Sequence, residues 1–379
     1  MDLSLHIPAE ILIGIFTHLT PGDIKSTRLV CHRFEALGTP LLIKTAYFAA
    51  RVNALEKFLK IANHPVFSQT VRTVIYQGAF YREELTQREA FDHEEEQVRD
   101  MKNDEGAADE VSTRCFERYC SLFEHQRRLM DSGSALAGLT HGLQKMAKVE
   151  NIVFTDLWDG DDRYGYYKSD RCDGMKPELY PSGWDRTDRL SDFDGLSYII
   201  RAASVSRRQI ANLEVNCSFL VKRDPESTPC SAFRLSPQDL QHGWQAFRGL
   251  TSITLEIGHR GFESRNGDLE GLFYMLSGAE HLHTLFLETK HCALLTPVLV
   301  RERFWPRLRK LTFYFIMCEY NFIEAILWNQ RSTLSEFNLC FSFIFGGSKD
   351  CDESVLARYA EEYLTLDRLA VERCDFYAS

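Results

Sequence analysis

The feature that most constrains this chain is a six-residue apolar pattern, Leu-x-x-Leu-x-Leu or a close variant, that recurs along it. It reads VENIVF at 149–154, IANLEV at 210–215, LTSITL at 250–255, LHTLFL at 282–287, LRKLTF at 308–313, LSEFNL at 334–339 and LDRLAV at 366–371. The last five begin 32, 26, 26 and 32 residues apart. The two closing apolar residues flank one outward residue, the alternation that a strand requires, and the first sits at the turn into it. Helix-like segments intervene, such as Leu269 to Leu276 with Leu272, Phe273 and Leu276 at helical spacing. One such unit cannot bury its own apolar face, so the units must stack. Val71–Tyr76 (VRTVIY) begins a degenerate first unit. The expected class is α/β: an irregular solenoid over 149–379, behind a helical connector over 46–148 and a short helical module over 1–45.

The module over 1–45 obeys a different period. Pro8 suits the start of a helix, where its missing N–H removes no hydrogen bond. Ile11, Ile15 and Leu19 follow four apart on one face, widened by Leu12 and Phe16. Thr20-Pro21-Gly22-Asp23 ends this helix and caps another, with Pro21 at its first position and Asp23 as the acidic third residue. Ile24, Leu29, Val30, Phe34 and Leu37 continue the apolar pattern. A unit of roughly 40 residues lies near the lower limit for independent folding, so part of its apolar surface is expected to be buried against something else.

These residues resemble the F-box. Ile7-Pro8, Glu10-Ile11-Leu12, Ile15-Phe16, Leu19, Asp23, Leu29-Val30-Cys31 and Phe34 occupy the family's places, with Ile7 replacing the usual Leu and Phe34 standing where many members have Trp. The recurring units are similar to the irregular leucine-rich repeats that follow many F-boxes in fungi, although the Asn of regular repeats is absent at most positions. The resemblance implies a non-enzymatic substrate receptor of an SCF-type ubiquitin ligase, in the cytoplasm or nucleus and without a cofactor. The F-box would dock a Skp-type adaptor, which links to the cullin core, and the repeats would hold a protein target. Docking would fall to Ile7, Pro8, Ile11, Leu12, Ile15, Phe16, Leu19, Leu29, Val30 and Phe34, some of which must instead form the module's own core. The alternative is a repeat scaffold that binds the adaptor without promoting ubiquitination.

Composition narrows the partners. The net charge is −10, and residues 82–110 carry twelve acidic against four basic side chains, so this stretch supplies most of it. The rest is nearly neutral, without the basic field that nucleic-acid binding requires. The acidic stretch is expected to be mobile and largely exposed. Residues 46–61 read as a helix, with Phe48, Val52, Leu55 and Leu59 at helical spacing, and 111–130 as another, with Phe116, Tyr119, Cys120 and Phe123 on its apolar side. No segment has the roughly 18 uninterrupted apolar residues of a membrane span. Asp2, Glu10 and the lack of a basic leader argue against a signal peptide.

The eleven cysteines are scattered, as expected of reduced thiols. Cys115, Cys120 and His125 are each five apart, so they do not share a helix face as zinc ligands would. His281, His283, His291 and Cys292 read as loop polarity around a strand. No phosphate-binding loop, nucleophile elbow or zinc-protease motif is present. Two features point to target binding. Arg301, Arg303, Arg307, Arg309 and Lys310 cluster near the 308 strand, where Arg forks would receive a phosphorylated or acidic segment if some face the concave side. The insert over 156–190 is rich in aromatics, including Trp158 and Trp184, which either contact a partner or fold back on the solenoid.

Overall fold

The computed structural model describes residues 7–78, 81, 83–93, 96, 109–155, 195–217, 235–257, 269–289, 294–300, 305–347, 353–354, 356–358 and 366–378. The apolar alternation becomes a nine-stranded, all-parallel sheet: β1 (Thr45–Ala49), β2 (Thr73–Gln77), β3 (Asn151–Thr155), β4 (Asn212–Cys217), β5 (Ser252–Ile257), β6 (Thr284–Glu288), β8 (Lys310–Tyr314), β10 (Glu336–Cys340) and β12 (Arg368–Glu372). All seven pattern segments, and the 71–76 run, lead into its strands, each of which begins at the third residue of its segment. The strands stand in chain order, β1-β2-β3-β4-β5-β6-β8-β10-β12, interrupted only because β7 (Leu294–Leu295), β9 (Met317–Glu319), β11 (Phe343–Gly347) and β13 (Asp375–Ala378) form a second sheet in the order β13-β11-β9-β7.

The register is uniform because each unit is locked to its predecessor by one carbonyl. The carbonyls of Lys44, Arg72, Glu150, Ala211, Thr251, His283, Arg309 and Ser335 each accept from two consecutive N–H groups at the next strand's entrance, at 2.7–3.2 Å. The two apolar residues of each strand then align in rows: Val74, Ile152, Leu213, Ile253, Leu285, Leu311 and Phe337 in one, Tyr76, Phe154, Val215, Leu255, Leu287, Phe313 and Leu339 in the other. All are buried in one continuous core. The opening Leu250, Leu282 and Leu308 are wholly buried beneath the turns.

The helices after the N-terminal module are, in chain order, α4 (Val52–Asn63), α5 (Asp109–Asp131), α6 (Ser134–Lys145), α7 (Gly195–Val205), α8 (Pro237–Ala246), α9 (Glu270–Leu276) and α10 (Tyr320–Gln330). All but α5 close the inner face. Helices α4, α6, α7, α8 and α9 pack successively, each on the next. Close approach of α6 to α4 depends on Gly138 and Gly142, where a Cβ would lie 2.4 Å from Leu55 and 2.0 Å from Phe58.

Two sequence expectations are corrected. Residues 46–61 are not one helix: Thr45–Ala49 is a strand, the turn falls at Ala50 and Arg51, and α4 begins at Val52. Ala46 and Phe48 alternate inward opposite Val74 and Tyr76, so pairing along the sheet overrides the coincidental helical spacing from Phe48. The acidic stretch, where described, is not an exposed segment. Residues 83–93 and α5 cover the outer face of the first strands, building a second core from Tyr47, Ala49, Ile75, Tyr81, Leu85, Phe91, Cys115, Tyr119 and Leu122. Arg88 staples the two pieces, with Nε 2.7 Å from Asp92, Nη2 3.2 Å from Ser112 Oγ and its guanidinium 5.3 Å from the Phe116 ring centroid. Residues 94–95 and 97–108 lie outside the described residues.

The last units bend between the two sheets at a fixed place. Phe315, Phe341 and Arg373 each follow the final residue of β8, β10 and β12 and each has a positive φ, 51°, 52° and 55°. The bend is thus a left-handed residue repeated in register, an unfavourable conformation for side chains of this size. Stacking offsets it: the rings of Phe315 and Phe341 are 5.2 Å apart, and the Arg373 guanidinium lies 5.0 Å from the Phe341 ring centroid.

Candidate functional site

The N-terminal module is three helices, α1 (Ala9–Phe16), α2 (Pro21–Thr27) and α3 (His32–Leu42). Pro8 is the residue immediately before α1. At α2 the Thr20 side chain accepts from the Asp23 N–H at 3.2 Å and its hydroxyl donates to the Asp23 carboxylate at 2.6 Å, with Pro21 at the first helical position. Gly38 lets α3 approach α2: a Cβ there would meet Arg28 at 3.0 Å and Ile24 at 3.3 Å. Arg33 on α3 reaches back to the Ile7 carbonyl at 2.5 Å, drawing the start of α1 beside the α2–α3 junction.

This packing sorts the apolar residues of the module. Leu12, Phe16 and Ile24 are buried, at 3–4% exposure, and Phe16 meets Phe34 edge to face at 5.3 Å. Leu19 and Phe34 are half-buried. Ile7, Ile11, Ile15, Leu29 and Val30 are exposed, at 37, 57, 49, 87 and 69%, and Pro8 is exposed with them. Helix α1 is therefore apolar on two sides: Leu12 and Phe16 point inward, and Ile11 and Ile15, also four apart, point outward. Ile13, which the sequence pattern did not single out, is exposed too. Beside the module a cleft of about 420 Å³ separates Phe16, Leu19, Pro21 and Ile24 from Ile43, Thr45 and Ile61 at the head of the sheet.

The second candidate surface is the outer face of the large sheet, free of the α5 cover from β4 onward. One row across it runs Glu214, Thr254, Phe286, Thr312, Asn338 and Ala370, the residues between the paired apolar positions. Side chains link neighbouring strands: Asn212 Nδ2 donates to Asn151 Oδ1 at 2.6 Å, Asn338 Nδ2 to Thr312 Oγ1 at 3.2 Å, and Lys310 pairs with Glu336 at 3.1 Å. The alternation that predicts the strands also marks these outward residues.

Among the described residues, the strands contribute more acidic than basic side chains to this face. The outward positions of β4 to β12 include Glu214, Glu256, Glu288, Glu336 and Glu372 against Lys310 and Arg368. Of the expected target-binding residues, Arg301, Arg303, Trp158 and Trp184 lie outside the described residues, as do His291 and Cys292. Arg307 is exposed at the turn before β8, and Lys310 is engaged by Glu336. Burial pushes the Cys374 thiol up to about 11 and raises that of Cys340 as well, so both stay protonated near neutral pH and neither supplies a thiolate.

Fold and surface together define an α/β protein with a nine-stranded parallel sheet, a partly covered outer face and an N-terminal helical module that displays apolar side chains. No protein-family model matches the chain, and no curated protein matches it. Among the described residues, no helix is long and apolar enough to cross a membrane.

Proposed function

We propose that this protein is the target-receptor subunit of a Skp–cullin type ubiquitin ligase, with an F-box over residues 1–45 and an irregular leucine-rich-repeat solenoid behind it. The observation that carries this reading is the exposure of Ile7, Ile11, Ile15, Leu29 and Val30 in a module whose sequence resembles the F-box. Apolar side chains held outward by a module too small to bury them suit a partner with an apolar groove. Leu12 and Phe16 then hold the module together while the exposed set docks the adaptor. The chain's contribution is positional: it raises the local concentration of a target beside the ubiquitin-charged enzyme and performs no bond chemistry itself.

Co-purification with the adaptor tests this. Ile11→Asp combined with Ile15→Asp is expected to abolish capture while leaving the thermal melt of the protein unchanged, because both side chains already face solvent. Phe16→Ala is expected to lose capture by a different route, destabilising the module by about 3–5 kcal/mol. Capture by the Ile11/Ile15 variant at the wild-type level would remove the proposed docking surface. Lifetimes of bound proteins that stay unchanged under cullin inhibition would favour the scaffold instead.

A further inference from the structure

Among the described strands, the large sheet has its two edges at β1 and β12. β12 pairs with β10 on one side, and no described strand lies on its other side. The Arg368 N–H donates to the Ser335 carbonyl at 3.2 Å, and the Glu372 carbonyl accepts from the Phe341 N–H at 3.0 Å. Arg368, Ala370 and Glu372 therefore turn their backbone groups toward β10, and Leu369 and Val371, of opposite parity, turn theirs toward the free edge. The core also runs out to this edge. Leu369 and Val371 continue the rows of Phe337 and Leu339, which are 0% exposed, yet are themselves only half-buried.

The strand Arg368-Leu369-Ala370-Val371-Glu372 is complementary to itself about Ala370. Antiparallel pairing of two copies places Leu369 opposite Val371 of the second copy at both symmetric positions, where their free N–H and C=O groups exchange hydrogen bonds. The same pairing brings Arg368 opposite Glu372 of the second copy, again twice, on the outer face. An outward row already alternates in sign from Lys310 to Glu336 to Arg368, and Glu372 of the second copy extends it with the right sign. Edge strands that avoid self-association carry like charges or lysines that meet their own copy; this one carries opposite charges equidistant from the axis. We propose that the protein forms a two-fold dimer through antiparallel β12 pairing, which joins the sheets and open faces of two copies. The inference stands independently of the adaptor-docking reading.

Sedimentation velocity on the full chain over a micromolar concentration series tests it. The wild type is expected to shift from the 43.8 kDa chain to twice that mass as concentration rises. Arg368→Glu sets like charges opposite each other at two symmetric contacts and should raise the dimer dissociation constant about tenfold or more. Glu372→Arg should do the same. The double variant Arg368→Glu, Glu372→Arg restores opposite signs and should recover the wild-type constant. A wild type that stays monomeric throughout would overturn the proposal. So would a dimer that Arg368→Glu leaves unchanged, since association would then use another surface.

Discussion

Asp239 shows what single residues do for this fold. It sits in the first turn of α8, nearly out of solvent, and Arg201 of α7 grips it through Nε and through Nη2 at 2.6 Å. Ser236 adds a 2.7 Å hydroxyl bond and, at 3.1 Å, accepts the Asp239 N–H as the helix cap. Burial works against the charged carboxylate, but the Arg201 and Ser236 hydrogen bonds outweigh it and hold its pKa below the ordinary value. A carboxylate so depressed contributes stability that is complete above its unfolded pKa of about 3.9 and is lost as pH falls through the lower folded value. Asp239→Asn should therefore destabilise the protein by about 2 kcal/mol near neutral pH, less than for a fully buried pair because Arg201 is partly exposed. Urea melts should show this gap closing below about pH 4. A gap that stays constant down to pH 2.5 would assign the cost to packing instead.

At the scale of elements, α7 ends in a strained residue that sequence choice can relieve. Arg207 has a φ of 55°, the Arg208 N–H donates to the Ala203 carbonyl at 2.9 Å, and the Arg207 side chain is exposed. This is the position where helices favour glycine. Arg207→Gly should stabilise by about 1 kcal/mol and raise the melting temperature by about 1 °C; a melt that moves down would show that the side chain contributes more than the backbone strain costs. Its neighbour Arg208 must be left alone, because its guanidinium caps the end of α6 through the carbonyls of Leu143, Gln144 and Ala147 at 3.1–3.3 Å. Elements also mark where the sequence is legible. The seven Leu-x-x-Leu-x-Leu segments announce their strands because alternation has no other stable reading. β1 does not, since Phe48, Val52, Leu55 and Leu59 mimic a helix face across a real turn. The corners at Phe315, Phe341 and Arg373 leave no trace, because left-handed backbone is written in glycine and these are not glycines. In the N-terminal module the apolar positions are legible, but which of them face outward is decided by packing: Phe16 against Phe34, and Gly38 beside Ile24.

At the scale of the molecule, the outer sheet face is divided. Strands β1 to β3 lie under α5 and residues 83–93, and the face from β4 onward does not. Equivalent substitutions should consequently have unequal effects. Ile75→Asp places a carboxylate where the side chain is 3% exposed and should cost about 3 kcal/mol or more. Thr254→Asp, at a half-buried position of the open face, should cost within about 1 kcal/mol. Chemical denaturation of the two variants compares them directly, and equal losses would contradict the division.

The strictly sequential strand order has a consequence for biosynthesis. Every strand of the large sheet after the first pairs with one that left the ribosome before it, and the eight carbonyls that lock the register all belong to the earlier partner of each pair. The emerging polypeptide always finds its template already in place. Each new strand then adds to a surface already formed, and the newest edge is where the next one pairs while translation proceeds.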